Sequence, residues 1–95
     1  MVVVFIGYYS QDNYKRLLEC ADDRSAIDDK WEDWLVNFIK AKAELARKFT
    51  VEEVHLDVRK MNDYFKSKKM KNTSSTRSAY INELGRKNYE SKMNN

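Results

Sequence analysis

The chain has 95 residues, of which 42% are hydrophobic and 13% aromatic, and its net charge is +3. That length excludes a second domain, and with this apolar content it sets the expectation of one small folded body rather than a disordered polyelectrolyte. The charge is unevenly placed: residues 1–57 carry 8 basic and 12 acidic side chains, a net of −4, and residues 58–95 carry 10 and 3, a net of +7. Two opposed fields on one short chain point to a charged partner, either nucleic acid at the basic end or a basic protein at the acidic end.

In chain order, Val2 to Tyr9 is a continuous apolar and aromatic run rich in β-branched residues, and it breaks into the polar cluster Ser10, Gln11, Asp12, Asn13. This reads as a strand followed by a turn, apolar on both faces and therefore central. Tyr14 to Ala21 is ambiguous. Tyr14, Leu17, Leu18 and Ala21 have helical spacing, yet a short polar turn after a strong strand favours a hairpin partner. The choice falls on a strand, because two isolated strands make a poor sheet.

Ser25 is placed to cap the next helix, with Asp28 and Asp29 near its positive end. Ile27, Trp31, Trp34, Leu35, Phe38, Ala41, Leu45 and Phe49 then form a stripe at steps of three and four. It predicts an amphipathic helix of roughly six turns. Val54, Leu56 and Val58 alternate with polar residues as a half-buried strand, and Asp57 caps a short helix carrying Met61, Tyr64 and Phe65 that ends in the Lys-rich stretch 66–71. Asn72, Thr73, Ser74 and Ser75 offer caps for a last helix with Ala79, Tyr80, Ile81 and Leu84 inward, and Gly85 is placed as its stop. The expected fold class is α+β. It has a small three-stranded antiparallel or mixed sheet in the order β-β-α-β-α-α, one long amphipathic helix and two shorter C-terminal helices. Residues 1–85 form the single domain of this reading, and 86–95 a tail with little to bury.

The lone Cys20 forms no internal disulfide, and the run Val2 to Ile6 is too short for a membrane span and lacks the flanks of a secretory signal. The expectation is a cytoplasmic protein with no membrane partner. Asn72, Thr73 and Ser74 match a glycosylation acceptor that carries no weight without a secretory signal.

Residues that announce chemistry are scarce. His55 is the single histidine and has no nucleophile at a recognised spacing, one His and one Cys cannot make a zinc site, and two glycines cannot make a phosphate cradle. The chain is read as non-enzymatic, with no cofactor, no metal and no catalytic residues. Two binding surfaces remain. Asp22, Asp23, Asp28, Asp29, Glu32 and Asp33, against Arg24 and Lys30, put a net −4 into twelve residues. They are the candidate protein-binding set, an imitation of phosphates for a basic groove on a host protein such as a nuclease. Lys66, Lys68, Lys69, Lys71 and Arg77 are the alternative, a nucleic-acid surface whose binding would weaken with salt.

From Glu53 to Leu84 the order strand, helix, polar break, helix resembles the ribbon-helix-helix family of DNA-binding repressors. Val54, Leu56 and Asp57 match its strand-to-helix junction, and Ser75, Thr76, Arg77, Ser78, Tyr80, Ile81, Glu83 and Leu84 the opening of its second helix. That resemblance implies a nucleic-acid-binding regulator, although the acidic Glu53 and Asp57 stand where the family faces the major groove. Residues 2–59 are similar to the Dmd-type family of small phage antitoxins, through Val3, Val4, Phe5, Ile6, Gly7 and Tyr8, through Ala43, Leu45 and Phe49, and through Val54 to Arg59. This second resemblance implies a non-enzymatic inhibitor of phage or mobile-element origin that binds a host toxin or defence protein. The chain is expected to be a monomer or a homodimer.

Overall fold

The computed structural model describes residues 2–93. Its elements are β1 (Val3–Tyr8), α1 (Gln11–Cys20), a single 3-10 turn (Arg24–Ala26), α2 (Trp31–Ala46), β2 (Thr50–His55), α3 (Val58–Ser67) and α4 (Ser74–Met93). The protein is α+β, but its sheet is not the expected one. The described residues form two strands that pair parallel, with Val3 opposite Thr50 and Tyr8 opposite His55. Parallel neighbours need a long crossover, and here α1 and α2 supply it.

The third strand expected at Tyr14 to Ala21 is helix α1. The Ser10 hydroxyl accepts from the Asn13 backbone N–H at 3.2 Å and the Ser10 carbonyl from Tyr14 at 2.8 Å, so the polar cluster is a helix cap rather than a hairpin turn. Tyr14 and Leu17 are then buried together on one helical face. Helix α2 also begins later than its stripe suggests. Ser25 lies in the 3-10 turn and caps nothing on α2, whose N-cap is Lys30 without a side-chain hydrogen bond. The delay has a cause in Asp28, whose carbonyl accepts from the Tyr14 hydroxyl at 2.6 Å and so ties the segment before α2 to α1. The expected six turns shorten to 16 residues.

Asp57 caps α3 as expected, accepting from the Lys60 N–H at 3.3 Å. Val58, placed on the strand by its alternation, is instead the first residue of α3, and its N–H donates to Asn13 Oδ1 at 2.9 Å. Asn13 also donates to Ser10 Oγ, so one side chain links the starts of α1 and α3, which leave the carboxyl ends of β1 and β2. In α4 the stop expected at Gly85 does not occur. The helix runs through it to Met93, which carries ordered helix into the stretch read as a tail; residues 94 and 95 of that tail lie outside the described residues. Ala79, expected inward, is exposed.

The sheet is covered by a helix on each face. On one side Tyr8 packs on Trp34 and Phe38 of α2, with Tyr9 and Tyr14 completing an aromatic cluster whose ring centroids stand 5.2–6.1 Å apart. On the other, α4 lies close to β1. A Cβ added at Gly85 would stand 2.5 Å from the Phe5 ring, and one at Gly7 2.6 Å from Ile81 Cδ1. Glycine at both places is what lets the helix backbone reach the strand. The core runs from Tyr9, Tyr14 and Leu17 through Val54 and Leu56 to Val58, Met61 and Phe65.

Candidate functional site: a charged groove and a polar clamp

The six acidic candidates do not form one surface. Asp23 accepts two hydrogen bonds from the Arg77 guanidinium, each at 2.9 Å, and a third from the Ser74 N–H at 2.8 Å. Asp22 accepts from the Asn72 N–H at 2.7 Å, and its own N–H donates to the Asn72 carbonyl. Asn72 is 2% exposed; its side chain accepts from Arg77 and donates to Cys20 Sγ. The acceptor-like Asn72 is thus enclosed, and Asp22, Asp23, Asn72 and Arg77 form a clamp between the end of α1 and the start of α4. Arg77, a candidate for phosphate contact, is only 8% exposed.

The clamp sets the local electrostatics. Hydrogen bonding to the Arg77 guanidinium is the main cause that holds the Asp23 carboxyl below its ordinary value, despite partial burial. Burial pushes the Cys20 thiol up, the opposite of what a nucleophilic thiolate requires. Burial likewise raises the Tyr9 and Tyr14 hydroxyls to about 12.

The other four acidic candidates stay at the surface. Asp28 accepts from Asn37 at 3.3 Å, Asp29 pairs with Arg24 at 2.7 Å, and Glu32 and Asp33 are exposed in the first turn of α2. Asp29 and Glu32 border a groove of about 410 Å³ between the starts of α1 and α2. Its apolar wall is Trp31, Leu18 and Tyr14; its rim carries Asp12, Asp29 and Glu32 together with Lys15 and Lys30. Trp31 is fixed there, because its indole Nε1–H donates to the Tyr9 carbonyl at 2.9 Å. The size suits a side chain or short peptide segment, and a held aromatic wall with a charged rim suits a cation with an apolar stem. Asp12 and Lys15 were not singled out from the sequence, since reading 14–21 as a strand placed them nowhere near α2. The Ser10 cap was the signal that could have found them.

A larger hollow of about 780 Å³ lies at the other end of α2, but every lining residue from Ala41 to Phe49 belongs to the end of that helix and the turn after it. Among the described residues, no second element brings a polar group to it. His55 is exposed on the sheet face covered by α2, where its Nε2 stands 3.3 Å from Glu53 Oε1 and its ring 4.9 Å from that of Tyr8. Glu53 is also paired with Lys42, chiefly through a hydrogen bond that lowers its carboxyl pKa. This is a row of polar contacts across α2 and β2, with no nucleophile in it.

The basic candidates divide in the same way. Lys66, Lys68, Lys69 and Lys71 are exposed at the end of α3 and in the connection to α4, and they make no ion pair among the described residues. Lys69 takes a positive φ of 56° at the turn, and the Lys68 ammonium sits 5.9 Å from the centre of the Tyr64 ring. The fold and the groove define a small α+β protein with a parallel two-stranded sheet and a charged, aromatic-walled cleft. Comparison of the chain with protein-family models, with curated proteins and with solved structures finds no match. No helix among the described residues is long and apolar enough to cross a membrane.

Proposed function

We propose that the protein is a non-enzymatic inhibitor that docks on a basic surface of a host protein, with the groove between α1 and α2 as its contact site. The observation that carries this reading is the fixed Trp31 wall bordered by Asp12, Asp29 and Glu32. A Lys or Arg of the partner can lay its stem on the indole and place its charge among the carboxylates. Aromatic side chains are the usual anchors of such contacts, and complementary charge at the rim steers the encounter. The likeness of residues 2–59 to Dmd-type antitoxins supports the same class, and a host nuclease is the partner type it suggests.

The test is Trp31→Ala together with Asp29→Lys and Glu32→Lys in separate chains, each used as bait in lysate treated with nuclease. Each variant should lose a protein that the wild-type chain captures, by about 10-fold or more. Equal capture by all three would refute the reading.

A second reading is favoured by one specific observation, the four exposed lysines around the α3–α4 connection. They suit phosphates, and binding of this kind falls steeply with salt. A Lys66, Lys68, Lys69 and Lys71 to Glu variant should then lose binding to an RNA or DNA fragment at about 50 mM salt. Failure of the wild-type chain to bind either nucleic acid under that condition would remove this alternative.

A further inference from the structure

Helix α2 carries an apolar face that its own fold does not use. Trp31, Trp34, Phe38 and Leu45 turn toward the sheet and its neighbours, while Val36 and Ile39 are 50% and 57% exposed and Ala43 and Ala46 are exposed beside them. Their spacing of three, four and three is that of the a and d positions of a helix-pairing seam. We infer that α2 pairs antiparallel with α2 of a second copy of this chain through Val36, Ile39, Ala43 and Ala46.

Three properties of the seam argue for a second copy and fix the direction. In the antiparallel register Val36 meets Ala46 of the other copy and Ile39 meets Ala43, so each large residue faces a small one. A parallel pair would stack alanine on alanine and leave voids. Charge agrees: Asp33 in the first turn falls beside Arg47 of the other copy, twice by symmetry, and the helix dipoles oppose. A parallel pair would bring Lys42 and Arg47 together. Lys40 and Lys42, which flank the seam on its two sides, each meet their own copy near the two-fold axis, and the Lys42 charge is countered by Glu53 of its own chain. The arrangement is self-complementary, as a closed two-fold dimer requires. The inference assigns Asp33 to self-association, and it does not depend on what the charged groove binds.

The seam spans only 11 residues, about 16 Å of helix, so a weak dimer is expected, with Kd on the order of 10 µM. Sedimentation equilibrium of the purified chain, from about 1 to 500 µM, reads it directly. The wild type should pass from monomer to dimer in that range. Ile39→Asp should weaken association by at least ~100-fold, and Asp33→Arg by about 10-fold, with Asp33→Arg plus Arg47→Asp restoring it. Lys40→Cys should cross-link to itself across the axis under oxidation, and Val36→Cys should not. A wild type that stays monomeric to the highest concentration overturns the proposal, as does a dimer that survives Ile39→Asp. Cross-linking through Val36→Cys in place of Lys40→Cys overturns the direction. Since Ile39, Asp33 and Lys40 are exposed, their variants keep the native circular dichroism spectrum, and the association readout stands apart from folding.

Discussion

Arg77 is the residue whose loss of a partner should matter most. With its guanidinium 8% exposed and its acceptors supplied by Asp23 and Asn72, removal of the Asp23 charge leaves an unbalanced cation in the interior. Asp23→Asn should cost about 2–3 kcal/mol, somewhat below the usual figure for a broken buried pair because Asp23 keeps some contact with water. Replacing both residues, as Asp23→Asn with Arg77→Met, should cost less than the two single changes added together. Urea unfolding of the four chains checks both statements. The same pair predicts the acid limb of the stability curve. The Asp23 pKa is lower in the folded state, so its contribution is complete above the ordinary carboxylate range near pH ~4 and disappears as the pH falls below it. Asp23→Asn should flatten that limb. At the alkaline end the sign is reversed: Tyr9 and Tyr14 ionise only at about 12 when folded, so stability present below about pH 10 should fall as the pH rises toward 12. Thermal unfolding followed from pH 8 to about 11 should show a declining midpoint, and a flat profile would contradict the burial of both hydroxyls.

At the scale of elements, Gly85 separates two effects that push in opposite directions. Alanine in mid-helix is favoured over glycine by about 1 kcal/mol, which alone would make Gly85→Ala stabilising. The added methyl, however, would stand 2.5 Å from the Phe5 ring, and overpacking of this kind costs about 1–3 kcal/mol. The net expectation is destabilisation by up to about 2 kcal/mol, with part of it recovered when Phe5 is shortened to Leu. Denaturant midpoints decide it, and a more stable Gly85→Ala chain would mean that α4 lies farther from β1 than described. The same glycine shows what local sequence could tell. Gly85 follows a helical run and looks like a stop, because the need for close approach to Phe5 is a property of residues 80 positions apart. Helix α1 was legible in principle: Ser10, Tyr14, Leu17 and Ala21 carry both a cap and a stripe, and the expectation of a third strand overrode them. The Asp57 cap, the burial of Met61 and Phe65, and the inward Trp31, Trp34, Phe38 and Leu45 of α2 needed only local spacing, and the structure agrees with them, whereas Ala41 of the same stripe is exposed and Ile27 and Phe49 lie outside the helix. The groove and the clamp each join elements distant in the chain, so neither could be read from spacing.

For the whole molecule, the charge split acquires a structural role at one place and is left free at others. Asp22 and Asp23 of the acidic half are bonded to Asn72, Ser74 and Arg77 of the basic half, so the two fields are joined inside the fold. The groove rim, the lysines at the α3–α4 connection and exposed charges of α2 such as Asp33, Lys40 and Arg47 stay at the surface, where a partner can meet them. The two halves also share one core: Met61 and Phe65 complete the cluster begun by Tyr9, Tyr14 and Leu17, and α4 covers the sheet face that carries Phe5 and Gly7. A chain ending at Arg59 would keep β1, α1, α2 and β2. It would expose Val54, Leu56 and the α4-facing side of β1, and it would leave a two-stranded sheet covered by α2 on one face only, with its other apolar face in water. The lost burial of Met61 and Phe65 alone is worth roughly 3–6 kcal/mol, a large part of what holds a domain of this size together. The shortened chain should therefore show no cooperative thermal transition, whereas the full chain should unfold in a single step seen alike by far-ultraviolet circular dichroism and by Trp31 and Trp34 fluorescence. A cooperative transition in the shortened chain would show that residues 1–59 are a folding unit and that α3 and α4 are additions to it.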